Sequence, residues 1–335
     1  MISFSAWWAT EQAGGQAVSL SQHTLDDLPP GEVLVKVAYS SINYKDAMAI
    51  TGRGKILRQL PMIPGVDLAG EVVSSTDSRF VPGMSVMSTG WGVGERYSGG
   101  FAGYARLKAD WLQPVLDGVS PRQVMAIGTA GFTAMLCIHT LQQQGVLPGQ
   151  GEVLVTGATG GVGSVALMLL AVLGYQTVAV TGKLADHDAW LQALGASRVM
   201  DRNLFTQPAR SLESETWAAA IDTAGGAVLA GLLPRIRYGG VVVACGLAAG
   251  HALNTTVMPF ILRGITLAGV DSVMCPMAVR QAVWQRYLPL IPWDKLASVT
   301  HEVGLADIEA IGQRMLAGQT SGRYLVRIDG SLDNE

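Results

Sequence analysis

A glycine-rich turn from Thr156 to Gly163 lies between two apolar segments. Its spacing, Ala158-x-Gly160-x-x-Gly163, matches the glycine-rich fingerprint in which the absence of side chains lets the backbone approach a diphosphate. In such a turn Gly160 lets the backbone come close to the phosphates, and Gly163 lets the following helix pack tightly on the strand. Helix N-terminal amides then face the anion. The strand, turn and helix together predict a dinucleotide site. Its predicted phosphate-binding residues are Thr159, Gly160, Gly161, Val162 and Gly163.

The next predicted strand ends in Thr181-Gly182-Lys183. An NAD-selective site carries an acidic residue about 20 positions beyond the glycines, where it binds the ribose 2′-hydroxyl. No carboxylate stands at this tip, and a hydroxyl with an ammonium suits a 2′-phosphate instead. Arg198 and Arg202, close to the following strand, are candidates for a second cation. The spacing favours NADPH over NADH, the alternative being that Lys183 is a solvated surface lysine.

Four polar residues, Asn43-Tyr44-Lys45-Asp46, follow another predicted strand. Side chains at a strand end can project into a cleft, so Asn43, Tyr44 and Asp46 are candidate catalytic residues. Tyr44 is the first candidate for a hydrogen-bond donor or a nicotinamide contact. By spacing alone, a structural role is as plausible as a catalytic one: Tyr44 could be a half-buried packing residue, and Asp46 could cap the N-terminus of a helix. Arg323, at the start of the last strand, is a candidate oxyanion contact, although most arginines are simply exposed.

Cysteine and histidine are too sparse to form a zinc site. No Cys precedes Cys137, and no His lies between His23 and His139. Catalytic zinc needs such ligands, so the sequence predicts no metal. The three cysteines are far apart, which favours reduced, buried thiols over disulfides.

The elements that must position these residues change in character along the chain. A β-rich opening, punctuated by Pro and Gly, predicts a barrel-like domain. After Pro121 helices and strands alternate, which predicts a doubly wound parallel sheet and an α/β fold class. With 335 residues, two domains are expected. The predicted boundaries are 1–124 with 265–335 for the first domain and 125–264 for the second.

The amino-acid composition limits the classes of partner that the protein is expected to bind. The net charge is −3 and basic runs are absent, which argues against nucleic-acid and membrane partners. The N-terminal ten residues show no basic region followed by an apolar one, so a cytoplasmic location is expected. The most apolar stretch, Val165 to Val180, reads better as a helix followed by a strand than as a membrane span.

Ten segments of the chain carry a family resemblance: SINYKDAMAITGRGKI, PMIPGVDLAGEV, TGWGVGE, IGTAGFTAMLCI, VTGATGGVGSVA, LGASRV, AIDTAGG, YGGVVVACGLA, TTVMPFILRG and GVDSVMCP. Together they resemble the zinc-independent, quinone-oxidoreductase-like members of the medium-chain dehydrogenase/reductase superfamily, and more narrowly the acrylyl-CoA reductase group. In this chain Pro64-Gly65-Val66-Asp67 stands where zinc-dependent relatives carry Gly-His-Glu, and the His is absent.

The resemblance implies NADPH-dependent reduction of the activated C=C bond of acrylyl-CoA to propionyl-CoA. It also implies a GroES-like β-barrel catalytic domain beside a Rossmann domain, a homodimer and a small CoA thioester as substrate. Further cofactor contacts are expected at Leu247, Ile261 and Ser272. The open alternatives are a quinone or general enone reductase and a nucleotide-binding protein without catalysis. Family members often show Ser-Gly-Arg where this chain has Thr181-Gly182-Lys183, so its NADPH preference could be weaker.

Two further features bear on the substrate. Arg53, Lys55 and Arg58 form a small basic rim that suits the phosphates of CoA, or else only a solvated loop. Trp91 and Tyr97, which lie among glycines, could line a pocket or only pack against the protein core.

One segment bears on the oligomeric state. The apolar run from Ile265 to Val273 could pair with its copy in a dimer, or form an internal edge strand.

Overall fold

The computed structural model describes residues 2–328 and divides into two compact units. The first unit runs from the N-terminal end to Thr129 and resumes at Val299, and the second comprises Ala130–Ser298. The strands, in chain order, are β1 (Ser3–Gln12), β2 (Gly15–Thr24), β3 (Val33–Ile42), β4 (Asp67–Ser75), β5 (Ser85–Thr89), β6 (Tyr104–Leu107), β7 (Gln113–Pro114), β8 (Val153–Thr156), β9 (Thr177–Thr181), β10 (Arg198–Asp201), β11 (Trp217–Asp222), β12 (Ile236–Ala244), β13 (Thr266–Gly269), β14 (Thr300–Gly304) and β15 (Arg323–Arg327). The helices are α1 (Tyr44–Ile50), α2 (Pro121–Gln143), α3 (Gly161–Val172), α4 (Leu184–Leu194), α5 (Asn203–Thr206), α6 (Gly226–Leu232), α7 (Met258–Arg263), α8 (Met277–Tyr287), α9 (Trp293–Ser298) and α10 (Ile308–Leu316).

The first unit is built on a mainly antiparallel sheet ordered β14-β15-β3-β4-β5-β7, with β6 also pairing with β3. In β3 the valines at 33, 35 and 37 are fully buried in one core cluster, whereas Lys36 is exposed. Leu34, on the opposite face of the strand, is buried in a second cluster. The hairpin of β1 and β2 completes the unit, so the predicted β-rich domain is confirmed.

The second unit contains a six-stranded, fully parallel sheet ordered β10-β9-β8-β11-β12-β13. Chain order therefore reverses between β8 and β11, as in a Rossmann fold. Helices cover both faces of such a sheet, which explains why all four residues of β8 are buried. The predicted doubly wound α/β fold is confirmed.

The predicted domain boundary at residue 265 is wrong, because residues 265–298 pack with the second unit. Strand β13 extends the parallel sheet by pairing with β12. The Thr133 hydroxyl donates to Ser272 Oγ at 2.9 Å, and the Arg280 guanidinium lies 4.6 Å from the Phe132 ring centroid. The first boundary falls after Thr129 rather than after residue 124. The return to the first unit thus begins only at Val299.

Helix α2 is long and apolar enough to cross a membrane, but 83% of its most apolar stretch is buried inside the protein. Burial of this kind is typical of a core helix. The helix is interrupted at Gly128, whose φ of 51° and ψ of −161° are not helical. A positive φ is readily adopted only by glycine.

Candidate active site

The glycine turn of the second unit lies at the carboxyl end of β8, at the point where the strand order reverses. Gly157 has a φ of 59°, and a Cβ at Gly163 would lie 2.5 Å from the Gly157 carbonyl oxygen. Any side chain at position 163 would therefore push helix α3 away from the turn. The first amides of α3, at Gly161, Val162 and Gly163, have no acceptor within the helix and can bind phosphate. The turn thus fits a dinucleotide diphosphate.

A buried pair fixes the turn from the neighbouring strand. The Thr156 hydroxyl donates to Asp222 Oδ1 at 2.6 Å, and Thr223 N donates to the Thr156 hydroxyl at 3.0 Å. Asp222 Oδ2 accepts from Gly225 N at 2.8 Å, so its carboxylate also holds the start of α6. Burial raises the pKa of Asp222. This pair was not predicted, although both residues end strands of one parallel sheet.

Two cations meet at the carboxyl end of β9. The Arg202 side chain packs over Gly182, where a Cβ would lie 2.6 Å from the Arg202 Nε. Burial lowers the pKa of Lys183, and the positive charge of Arg202 lowers it further. The Thr181 hydroxyl accepts from Lys183 N at 3.1 Å and lies 3.5 Å from that of Thr159. The carboxyl end of β9 therefore lies beside the glycine turn and carries two positive charges, which suit a 2′-phosphate.

Arg198 does not belong to this group, and its prediction as a cofactor contact is wrong. It begins β10 and lies beside Val178 near the start of β9, whereas nucleotides bind at the carboxyl ends of parallel strands. Its guanidinium also makes two hydrogen bonds to Glu152, at 3.0 and 2.7 Å. The guanidinium is thus occupied by a structural ion pair.

The three other predicted contacts lie in the second unit beyond the sheet's last strands. Leu247 follows β12 and is 60% exposed, and Ile261 on α7 is 72% exposed. Ser272 follows β13 and accepts the hydrogen bond from Thr133. Exposed apolar side chains and a hydroxyl beyond these strands are available to a ligand, and the three stay predictions.

The first unit contains a buried polar network centred on Asp67, the first residue of β4. Its Oδ2 accepts from the Ser41 hydroxyl at 2.5 Å, from Asn43 Nδ2 at 2.8 Å and from Thr129 N at 2.9 Å. Its Oδ1 accepts from the Thr129 hydroxyl at 2.5 Å. Four donors satisfy a carboxylate that is 0% exposed. Of these residues only Asn43 was predicted as a site residue, whereas Ser41, Asp67 and Thr129 were not.

Arg323 supplies the cation of this network. Its Nε donates to Ala126 O at 3.0 Å, and Nη2 donates to the Ser41 hydroxyl at 2.9 Å. Nη1 donates to Asn43 Oδ1 at 3.3 Å. With 2% exposure it offers no surface to a substrate, so its prediction as an oxyanion contact is wrong. A Cβ at Gly128 would meet Arg323 Nη2 at 2.7 Å, so only glycine fits there.

Asp46 is the second buried carboxyl, with 1% exposure. Its Oδ1 accepts from Val66 N at 2.9 Å, and Oδ2 accepts from Asn43 N at 2.8 Å. Burial raises the pKa of Asp46 to about 7, and the charge of Asp67 adds to the effect. Asp46 therefore holds the first turn of α1 rather than touching substrate, which corrects its prediction as a catalytic residue.

The raised pKa of Asp46 predicts a pH dependence of stability. An unfolded Asp ionises near 3.8, whereas the folded group keeps its proton until about pH 7. Because the folded state binds more protons in this window, the free energy of unfolding falls as pH rises from about 4 to about 7. The loss is on the order of 4 kcal/mol. Urea unfolding across this range tests it, with Asp46→Asn as control. The prediction fails if the variant shows the same slope as the wild type.

Tyr44 begins α1 and is 42% exposed, whereas Asn43 and Lys45 beside it are half-buried. The next residue, Lys45, pairs with Glu95 at 2.6 Å and ties α1 to the loop after β5. The phenol is thus an accessible donor on a helix whose start is fixed by Asp46 and Asn43. Tyr44 and Asn43 remain candidate site residues.

Within residues 2–328, no three His, Cys, Asp or Glu side chains lie close enough together to hold a metal ion. Cys137 and Cys275 are buried, Cys245 is half-buried, and all three are free thiols.

Two family models match the chain. The "Alcohol dehydrogenase GroES-like domain" matches residues 29–117, and the "Zinc-binding dehydrogenase" model matches residues 161–291. The two matches fall in the first and the second unit respectively.

Curated relatives match nearly the whole chain. The probable acrylyl-CoA reductase AcuI of Escherichia coli K12 is 51% identical over 95% of this chain and 98% of its own. Acrylyl-CoA reductase AcuI of Ruegeria pomeroyi is 47% identical over 95% and 97%. The putative quinone oxidoreductase YhfP of Bacillus subtilis is 43% identical over 97% and 99%.

Solved structures agree. The yhdH oxidoreductase of Salmonella enterica, in complex with NADP, superimposes with a TM-score of 0.94 at 50% identity, over 97% of this chain and 100% of its own. The YhfP protein of B. subtilis, with NAD bound, gives 0.91 at 43% identity over 98% and 100%. The chain therefore belongs to the medium-chain dehydrogenase/reductase superfamily, in its quinone-oxidoreductase-like acrylyl-CoA reductase group.

Proposed function

We propose that this protein reduces the activated C=C bond of acrylyl-CoA to propionyl-CoA with NADPH. The observation that carries the proposal is the match to two acrylyl-CoA reductases over 95% of the chain. That match spans both the glycine turn and the segment around Tyr44. The pair of cations at Lys183 and Arg202 independently supports the choice of cofactor, as does the NADP complex of the S. enterica relative.

The second unit binds and orients the cofactor. The amides of Gly161, Val162 and Gly163 hold the diphosphate, and Lys183 with Arg202 holds the 2′-phosphate. When bound, NADPH supplies the hydride that reaches the β-carbon of the substrate. Leu247, Ile261 and Ser272 are proposed as further contacts of the cofactor.

The first unit stabilises the charge that hydride transfer creates. As the β-carbon accepts hydride, negative charge develops on the thioester oxygen, and a hydrogen-bond donor lowers that barrier. The enolate then takes a proton from solvent at its α-carbon, which gives the saturated thioester. We assign this donor to the Tyr44 hydroxyl, because it is exposed at the start of α1. Asn43, Asp46 and Arg323 act as positioning residues that keep this turn in place.

NADPH consumption with acrylyl-CoA and with a simple quinone, at equal concentrations, tests the proposal. We expect clear preference for the thioester. The second candidate, a quinone or enone reductase, is favoured by the relation to YhfP and would be supported by preference for the quinone. NADPH binding without reduction of any activated alkene would indicate a non-catalytic protein.

We also infer a cytoplasmic homodimer without nucleic-acid or membrane partners. Among the described strands, β13 has a neighbour on one side only, so its outer edge can pair with a second copy. Sedimentation at twice the chain mass of 35.2 kDa is the expected result, and a monomer would contradict it.

A further inference from the structure

A pocket of about 270 Å³ lies in the first unit and shares no residue with the buried polar network. Its lining combines two aromatic rings, Tyr97 and Trp111, with three cations, Arg96, Arg106 and Lys108. Prolines and Met62 complete the walls. The mixture of aromatic surface and positive charge suits a ligand that is flat at one end and anionic beside it.

The aromatic pair and Lys108 form one arrangement. The ring centroids of Tyr97 and Trp111 lie 4.4 Å apart, and Tyr97 is 41% exposed. Lys108 Nζ lies 5.3 Å from the Trp111 centroid and 5.9 Å from the Tyr97 centroid. The ammonium thus rests on the two rings, which hold it without neutralising it.

The positive charge of the pocket is not neutralised by nearby acids. Among residues 2–328, no ion pair involves Arg96 or Lys108. The adjacent carboxylates are engaged elsewhere, because Glu95 pairs with Lys45 at 2.6 Å and Asp110 pairs with Arg79 at 2.7 Å. Two cations are therefore available to an anionic ligand.

Arg106 has a different role. Its guanidinium donates to the carbonyl oxygens of Leu28 at 3.1 Å and Leu25 at 3.3 Å. These bonds fix the segment that leads into Pro29 and Pro30, so Arg106 braces a wall of the pocket while adding positive charge.

The pocket is connected along the chain to the start of α1. Glu95, which binds Lys45 beside Tyr44, precedes the pocket residues Arg96 and Tyr97 directly. Arg58 N donates to Glu95 O at 2.7 Å, which brings the predicted basic rim to the same loop. The loop that carries Glu95, Arg96 and Tyr97 thus joins the pocket to the start of α1.

We propose that this pocket binds the phosphorylated adenosine end of the acyl-CoA substrate. The adenine stacks on Tyr97 or Trp111, and the phosphates are held by Lys108 and Arg96. The pantetheine arm then carries the acyl group toward Tyr44. This assignment rests on the proposed function, because it takes the substrate to be a CoA thioester.

Steady-state kinetics of Arg96→Ala and Lys108→Ala test the proposal with two substrates, acrylyl-CoA and acrylyl-pantetheine. Loss of a charge-assisted contact to phosphate should raise the KM for acrylyl-CoA about tenfold, with kcat nearly unchanged. The KM for acrylyl-pantetheine, which lacks the nucleotide, should not change. The control is Arg314→Ala, an exposed arginine of α10 outside the pocket, which removes the same charge.

The outcomes separate the two claims. A wild-type protein that reduces neither thioester contradicts the proposed function. A wild-type protein that reduces both, with variants whose KM is unchanged or rises equally for both substrates, overturns the pocket assignment. As a second measurement, adenosine 3′,5′-bisphosphate should inhibit competitively against acrylyl-CoA, and Lys108→Ala should weaken that inhibition. Competition against NADPH alone would also overturn the assignment.

Discussion

Replacing Arg323 with leucine should lower the free energy of unfolding by about 3–5 kcal/mol, the cost of leaving a buried charge uncompensated. The carboxylate of Asp67 is 0% exposed and would lose its nearby cation. The Ala126 carbonyl, Asn43 Oδ1 and the Ser41 hydroxyl would each lose a donor. Urea unfolding at neutral pH, followed by circular dichroism, measures the loss.

Arg327→Leu is the matched control. Arg327 lies on the same strand, its side chain is 64% exposed, and its ion pair with Glu302 is long, at 3.9 Å. Exposed pairs contribute about 0–1 kcal/mol, so this variant should remain close to the wild type.

A double variant separates charge from packing. In Arg323→Leu with Asp67→Asn, the amide oxygen can replace Oδ2 as the acceptor of three bonds, and the amide nitrogen can donate to the Thr129 hydroxyl. We expect this variant to recover part of the lost stability. If Asp67→Asn instead lowers the free energy of unfolding further, the uncompensated charge of Asp67 is not the cause of the stability lost in Arg323→Leu.

The second large effect is on cofactor choice. Replacing both Lys183 and Arg202 with alanine should raise the KM for NADPH about 100-fold, because two charge-assisted contacts to the 2′-phosphate are lost. The KM for NADH, which has a hydroxyl in that place, should change little. Initial rates with each cofactor at saturating substrate give both values.

Arg198→Ala is the control for this experiment, because Arg198 is ion-paired to Glu152 at the start of β10. It should leave both cofactors unaffected. Lys183→Arg should raise the preference for NADPH, since a guanidinium can bind phosphate through two parallel bonds. Equal weakening of NADH and NADPH in the double alanine variant would show that these cations do not recognise the 2′-phosphate.

The cofactor turn could be predicted because its signals are local. Strand, glycines and helix are contiguous from residue 152 to 173, and the turn geometry depends on few residues. Arg198 was misassigned although the direction of its strand was available. In a parallel sheet the first residue of a strand lies at the edge opposite to the nucleotide.

The buried network could not be predicted in full, because its members come from four separate segments. Asn43 carried a visible signal next to Tyr44, but only the fold brings Asp67, Thr129 and Arg323 to the same place. Burial also changes the role of a residue. In the sequence Asp46 and Arg323 are candidates for contact with substrate, whereas in the structure both are buried and hydrogen-bonded to other residues of the protein.

Two errors in the elements have physical causes. The hairpin of β1 and β2 has a weak sequence signal because no residue of β2 is buried, although Gly14-Gly15 at the turn favours a hairpin. The predicted domain boundary was misplaced because a short apolar strand such as β13 fits the sheet of either domain. Only its pairing with β12 assigns it to the second unit.

The first unit is made from both ends of the chain, and this affects folding during synthesis. The second unit is continuous and emerges from the ribosome before β15 does, so it can fold first. Until Arg323 emerges, Asp67 lacks its cation, and β14 and β3 lack the strand that lies between them. The nascent first unit is therefore incomplete until β15 has emerged, and a translational stop before residue 323 leaves it permanently open.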